Sequence, residues 1–207
     1  MNRRAFIASA LGAVAFPLSE AYAQYPVEVQ VPLTEVIRNY NYQECIAWCW
    51  AASAAMLFAF YDHPVDQKVI VQRLFGGLVC TTVPPNSIYK LLNSDWQDRN
   101  GEKFHSRTHT FYNYFAGVSD GQANVDIVET LRDEHPMLLC TTHHAMVLTE
   151  AKYLPTTLGP RIVELGVADP FPPEGALRSL SPAEGTIVSA GGALTILAKI
   201  EVSDVDE

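Results

Sequence analysis

The sequence has few positive charges, because 14 Lys and Arg residues stand against 23 Asp and Glu residues, for a formal net charge of −9. A protein that binds nucleic acid by neutralising phosphates needs the opposite balance, so this class is disfavoured. Low-complexity tracts and internal repeats are also lacking. With 48% hydrophobic and 18% charged residues among 207, the composition favours one globular domain or two small lobes that share a core.

The apolar run at the N-terminus is too short to span a membrane comfortably. Arg3 and Arg4 precede this run, Ala5–Leu18, and small residues follow it up to Ala23. That order is typical of a bacterial export signal, and the paired arginines resemble a twin-arginine signal. We therefore expect residues 1–23 to be removed during export to the periplasm or the medium. The mature protein is then expected to have no membrane association.

Cysteine is scarce, and each of its four positions needs a separate interpretation. They are Cys45, Cys49, Cys80 and Cys140. An exported protein can form disulfides, although a domain of this size does not require them. Cys140 lies in an apolar run and fits an inert core thiol. No Cys or His pair has convincing zinc-site spacing, so neither a metal nor another cofactor is expected.

The pattern along the chain places helices before strands. Residues 24–37 alternate in polarity and favour an extended segment. The Ala-rich run Ile46–Tyr61 has no Gly or Pro and predicts a helix that is buried on all sides. Residues 95–122 are predicted to be loop with short strands. The remaining predictions are helices over Val65–Leu74, Pro85–Leu92 and Asn124–Glu134, and strands over Met137–Thr141, Ala145–Tyr153, Ile162–Ala168 and Ala193–Val202.

This order indicates an α+β fold. We predict one domain over residues 24–207. Its helical lobe is expected from about residue 40 to 135 and contains the central buried helix. An antiparallel sheet or barrel lobe is expected from about residue 136 to 207.

Cys49 lies in the first turn of the predicted buried helix, where free N–H groups and the helix dipole stabilise a thiolate. A thiolate nucleophile needs a base and a partner that orients the base. His144 begins one predicted strand, and Asp169 ends the next. A hairpin centred on Thr157 would place residue 144 opposite residue 170, beside Asp169. The three residues are therefore candidates for a catalytic triad.

Three stretches, in this order, carry a resemblance to papain-like cysteine peptidases. Gln43–Ala51 resembles the active-site segment of that superfamily, which has a Trp directly after the nucleophile. His144–Leu148 resembles the strand that begins with its histidine, and Asp169–Phe171 resembles the segment of its third residue. The compact bacterial branches, which include bacteriocin-processing peptidases and avirulence proteases of plant pathogens, are similar in these features.

The resemblance implies a two-lobed papain-like fold and a thiol protease that cleaves a peptide or protein substrate. It implies that Gln43 donates its side-chain amide to the oxyanion, beside the backbone N–H of Cys49. It also implies that Phe171 shields the hydrogen bond between His144 and Asp169.

Two further features follow only from the resemblance. Trp50, the residue after the nucleophile, would support the active site, and Cys45 would form a disulfide with Cys80. The resemblance leaves open a second enzyme class, because the same triad can transfer an acyl group to an amine, as a transglutaminase or amidase does.

Other interpretations of the same residues also stay open at this stage. The protein could be a catalytically silent binding module that keeps the fold. Cys49 alone would fit a buried structural thiol, and Asp169, which precedes a proline, could simply initiate a turn. His143 is the alternative base, although neighbouring strand residues point to opposite faces and only His144 aligns with the motif.

Overall fold

The structure is a computed structural model that describes residues 25–116, 120–171 and 176–205. The predicted export signal, residues 1–23, lies outside the described residues. In the part of the chain that is described, helices are too short or too polar to cross a membrane.

The described residues form six α-helices and eight β-strands. The helices are α1 (Leu33–Asn39), α2 (Cys49–Phe60), α3 (Gln67–Phe75), α4 (Pro85–Leu92), α5 (Asp120–Arg132) and α6 (Pro182–Gly185). The strands are β1 (Val27–Gln30), β2 (Asp95–Gln97), β3 (Lys103–Asn113), β4 (Met137–Thr141), β5 (Ala145–Thr156), β6 (Gly159–Asp169), β7 (Ala176–Ser179) and β8 (Leu194–Asp204). Short 3₁₀ turns follow β3 and α6, at Tyr114–Ala116 and Val188–Ala190.

All eight strands belong to one antiparallel sheet. Seven of them follow the order β2-β3-β8-β4-β5-β6-β7, and β1 pairs with β5 outside this order. The strand β5 is long enough to have two neighbours on one side. Its first half pairs with β4, and β1 pairs with the part from Glu150 to Tyr153. The predicted α+β class is confirmed. The sheet nevertheless includes β1, β2 and β3, so a boundary near residue 135 does not separate helices from strands.

The helix α2 is the centre of the core and is buried on nearly every side, as the sequence predicts. It packs against β4 and β5 of the sheet and against α1 and α3. Its many alanines allow these elements to approach closely, and Leu57 and Phe58 fill the remaining space without solvent exposure. The helix begins at Cys49 rather than at Ile46. The candidate nucleophile is therefore its first residue.

Three predicted segments differ from the structure. Residues 24–37 contain the helix α1 as well as β1, because Pro32 stands at the N-cap, where its missing N–H costs nothing. Residues 95–122 contain the long strand β3. Its inward-facing residues include Ser106, which is fully buried and donates a hydrogen bond from its hydroxyl to the Leu92 carbonyl (2.8 Å). Because serine is polar, it interrupts the alternation of apolar and polar residues that would predict a strand. The helix α5 begins before the predicted cap, Asn124.

Candidate active site

The loop before α2 places Cys49 at the helix N-terminus. The backbone N–H of Trp48 donates to the Cys45 carbonyl (2.9 Å), which closes a turn, and the Trp48 carbonyl accepts the N–H of Ala52 (2.9 Å). The N–H groups of the first helical turn have no acceptor within the helix, so this end of α2 favours a negative charge. Cys49 is 8% exposed, so its sulfur lies largely within the protein.

A disulfide joins Cys45 in this loop to Cys80, with a Cα–Cα distance of 6.0 Å. The residues on either side of Cys80 are also fixed, because two indole N–H groups donate to their carbonyls. These bonds are Trp48 Nε1–Val79 O (2.7 Å) and Trp50 Nε1–Thr81 O (3.1 Å). The buried Trp50 therefore holds the segment around Cys80 close to Cys49. Its supporting role in catalysis stays a prediction.

Removal of this disulfide is expected to lower the free energy of unfolding by about 3–4 kcal/mol, because the bond closes a loop of 35 residues. The variant with Cys45→Ala and Cys80→Ala should have a correspondingly lower urea midpoint. Because Cys49 and Cys140 are both free thiols, dithiothreitol should lower the midpoint of the wild type and leave that of the double variant unchanged. A further decrease in the double variant would contradict this assignment.

The tight hairpin between β4 and β5 positions His144. Cys140 pairs with Ala145, and the turn closes through a hydrogen bond from the Thr141 N–H to the His144 carbonyl (2.7 Å). The N–H of His144 in turn donates to the Thr141 hydroxyl (3.1 Å). The neighbouring His143 lies at the tip of the turn and is exposed. The fold therefore fixes the backbone of His144 and presents His143 to solvent.

The hairpin of β5 and β6 positions Asp169. It has Thr156 opposite Gly159 and Val147 opposite Ala168, one residue away from the predicted register. The strands contain two irregularities whose effects cancel between the turn and the active site. Continued for one residue, the register makes His144 and Asp169 diagonal neighbours on one face, within reach of side-chain contact.

His144 and Asp169 form a close hydrogen-bonded pair, with 2.6 Å between Nε2 and Oδ1. Oδ1 also accepts the backbone N–H of Phe171 (2.9 Å). The Phe171 ring meets the imidazole edge-on, with 6.2 Å between the ring centroids. Its position suits the predicted shielding of the pair, which stays a prediction.

The electrostatics of the site favour an ion pair. Burial raises the pKa of Asp169, but hydrogen bonds from His144, the Phe171 N–H and Arg178 outweigh this effect and lower the pKa to about 2. Burial lowers the pKa of His144, and hydrogen bonds to Asp169 and to Cys49 overcome it and raise the pKa to about 9. Because Nε2 is engaged with Asp169, Nδ1 is the nitrogen available to Cys49. The arrangement places a protonated imidazole beside the thiol, an environment that is typical of reactive cysteines.

Gln43 is buried beside the third residue of the candidate triad, since its backbone N–H donates to the Pro170 carbonyl (2.9 Å). Its side-chain nitrogen donates to the carbonyls of Cys45 (3.0 Å) and Ile46 (2.8 Å). The amide therefore shapes the loop before Cys49. Donation to an oxyanion would require the amide to give up one of these bonds, so the predicted oxyanion role stays a prediction.

The structure brings two further residues to Asp169 that the sequence did not indicate. The Tyr40 hydroxyl donates to the Asp169 carbonyl (2.5 Å), and Arg178 Nε donates to the carboxylate oxygen Oδ2 (2.7 Å). Tyr40 follows α1, a helix that was predicted to be extended chain. Arg178 lies on β7 in a region where prolines and glycines obscure any periodic pattern. In the sequence, Tyr40 is marked only by its closeness to Gln43, and Arg178 only by its closeness to Asp169.

Cys140 is the second free thiol and is fully buried on β4. Burial, with a smaller contribution from a charge on Cys49, raises the pKa of the Cys140 thiol. Cys140 therefore lies near Cys49 but stays protonated, which makes it a poor candidate for a nucleophile.

One group of described residues could offer ligands to a cation: His63, Asp98 and Glu102. His63 follows the C-terminal end of α2, so the length of that helix, roughly 18 Å, separates it from Cys49. The imidazole of His63 already faces Asp98 (3.4 Å) and Asp204 (3.2 Å). These contacts give the buried side chains of His63 and Asp98 partners within the protein.

No protein-family model matches the sequence, and a comparison with curated proteins gave no match. Among solved structures, one similar chain is described as a double glycine motif protease from an AMS/PCAT transporter, in complex with the leader peptide. The two chains are 15% identical with a TM-score of 0.42, and the alignment covers 87% of this chain and 99% of the other. The contacts among Cys49, His144 and Asp169 are described from the geometry of this chain alone.

Proposed function

We propose that this protein is an exported cysteine peptidase that hydrolyses peptide bonds through a thioester on Cys49. The observation that carries the proposal is the convergence of Cys49, His144 and Asp169 from three separate parts of the chain. The thiol lies at a helix N-terminus, the imidazole contacts both the thiol and the carboxylate, and the carboxylate is buried. A purely structural thiol needs none of these neighbours.

The chemistry follows from these positions. The thiolate of Cys49 attacks the carbonyl carbon of the scissile bond, and the electron pair moves to the carbonyl oxygen. The backbone N–H of Cys49 and the Gln43 amide are proposed to stabilise this oxyanion. As the oxyanion collapses, the C–N bond breaks and His144 gives its proton to the leaving amine. Water, deprotonated by His144, then hydrolyses the thioester and restores the thiolate.

Two observations support the exported location. The order of charged, apolar and small residues over residues 1–23 is typical of an export signal. The disulfide between Cys45 and Cys80 suits an oxidising compartment. Because the disulfide constrains the loop that carries Cys49, we propose that full activity develops after export.

The proposal is tested with the protein purified from the exported fraction. A mixture of unstructured peptides and a labelled primary amine is added, and new termini are mapped by mass spectrometry. We expect new carboxyl termini that incorporate oxygen from labelled water. Incorporation of the amine instead would show acyl transfer of the transglutaminase type.

A parallel measurement uses an epoxide inhibitor, which reports an activated thiol without a cleavable substrate. We expect the epoxide to modify Cys49 and not Cys140. If neither cleavage nor modification of Cys49 occurs, the protein is a silent binding module and the proposal is wrong.

A further inference from the structure

Asp169 has more hydrogen-bond partners than orientation of one imidazole requires. Oδ1 accepts from His144 (2.6 Å) and from the Phe171 N–H (2.9 Å), while Oδ2 accepts from Arg178 Nε (2.7 Å). The side chain of Asp169 is only 8% exposed. Arg178 therefore holds the carboxylate oxygen that the imidazole does not use.

The strand register explains why Arg178 reaches this carboxylate. Asp169 pairs with Ala176, and Val167 pairs with Arg178. Because alternate residues of a strand share a face, Asp169 and Arg178 are diagonal neighbours on the same face of the sheet. His144, directly before β5, and Arg178, on β7, thus approach Asp169 from its two sides.

Arg178 is itself held in place by a second carboxylate. Its two terminal nitrogens donate to the two oxygens of Glu184, at 2.7 and 3.2 Å. Glu184 also accepts the backbone N–H of Ser181 (2.9 Å), and its own N–H donates to the Ser181 hydroxyl (3.3 Å). These reciprocal bonds form the capping box of α6. The contacts run without interruption from a helix cap to the catalytic base.

We propose that Arg178 is a positioning residue, held by Glu184, which fixes Asp169 in the orientation and ionisation state that His144 requires. This inference rests on the proposed function for its significance, but its geometry does not depend on the substrate. Arg178 contacts no reacting atom. It acts on the thiol only through Asp169 and His144.

Arg178 and Glu184 carry opposite charges, so removing one or the other should shift the titration of the site in opposite directions. The titratable and charged groups that face the site from the packed elements are Tyr40, Cys49, Cys140, His144, Asp169, Arg178 and Glu184. Removal of a positive charge raises the pKa of each neighbouring acid group and of the imidazolium. Removal of a negative charge lowers them.

The test measures alkylation of Cys49 by iodoacetamide as a function of pH, with Cys140→Ala in every variant. Arg178→Met should move both limbs of the profile to higher pH by roughly one unit, and Glu184→Gln should move both to lower pH. Glutamine retains an acceptor for the capping box, which limits structural damage. Arg161→Met is the matched control, because it removes a positive charge from an exposed site on the same sheet. Its profile should not move.

Arg178→Lys separates charge from geometry, since lysine keeps the charge and lacks the planar fork that joins two carboxylates. We expect an unshifted pH profile, while kcat for peptide cleavage falls roughly ten- to a hundredfold and KM stays the same. This variant and Glu184→Gln also keep the test decisive if Arg178→Met does not fold.

The inference is overturned if Arg178→Met and Glu184→Gln shift the profile in the same direction, or if neither shifts it while both lower the melting temperature. Arg178 would then be structural only. Because alkylation needs no substrate, this result is independent of peptide hydrolysis. The proposed function fails separately, if wild-type Cys49 reacts no faster than a free thiol at neutral pH.

Discussion

Cys49→Ala is expected to lower the rate of peptide hydrolysis by on the order of 10⁴-fold or more, because the variant lacks the sulfur on which the proposed thioester forms. The fold should remain, since alanine fills most of the space of the buried thiol and Cys49 makes no backbone-supporting hydrogen bond through its side chain. The measurement is the rate of cleavage at saturating enzyme, together with the thermal midpoint of the variant. The difference in midpoint between the variant and the wild type should correspond to a change of no more than about 1 kcal/mol in the free energy of unfolding.

Cys140→Ala is the matched control for this experiment. Cys140 is also free and buried, and it lies near Cys49, but burial keeps its thiol protonated. We therefore expect this variant to retain nearly all activity. Substantial turnover by Cys49→Ala, or its loss in Cys140→Ala, would move the nucleophile to the other thiol and contradict the mechanism.

The sequence could predict that Cys49, His144 and Asp169 lie close together because each of the three residues is marked by a local feature. Cys49 begins the most apolar helix, and His144 and Asp169 lie at the ends of two consecutive strands that a short hairpin connects. A hairpin restricts the register to a few choices, and an error of one residue still left His144 and Asp169 in contact. The prediction thus survived an inexact register because diagonal neighbours are also within reach.

Arg178 could not be predicted in the same way. Its strand has four residues, and the sequence that precedes it contains several prolines, which obscure any strand pattern. A single arginine in such a segment resembles any exposed charge. Only the register of β7 with β6 places it on the face of Asp169.

The elements that sequence reasoning missed are those whose inward-facing residues are polar or whose limits depend on tertiary contacts. In β3 the inward-facing Ser106 is polar, and its hydroxyl donates to the backbone carbonyl of Leu92, the last residue of α4. By contrast, α4 and β4 have the predicted limits, because proline marks the start of α4 and an uninterrupted apolar run defines β4.

His144→Ala is expected to lower peptide hydrolysis by roughly 10³- to 10⁴-fold, because the thiolate loses its counter-ion and the leaving amine loses its acid. Modification of Cys49 by the epoxide inhibitor should also be lost at neutral pH. His143→Ala is the matched control, since His143 is exposed at the tip of the same turn and takes no part in the hydrogen bond between His144 and Asp169. It should retain wild-type rates. Activity that depends on His143 instead would mean that the wrong histidine has been assigned as base.

His144→Ala should also change how the free energy of unfolding depends on pH. The pKa of His144 is raised from 6.5 to about 9 in the folded protein. Protonated His144 therefore stabilises the fold fully below its unfolded pKa, and this contribution decreases as pH rises and is lost above the folded pKa. Urea unfolding should show a stability difference between the wild type and His144→Ala that is large near pH 6 and small near about pH 10. A difference that stays constant with pH would mean that His144 packs in the site as a neutral ring, and the ion pair with Asp169 would then have to be abandoned.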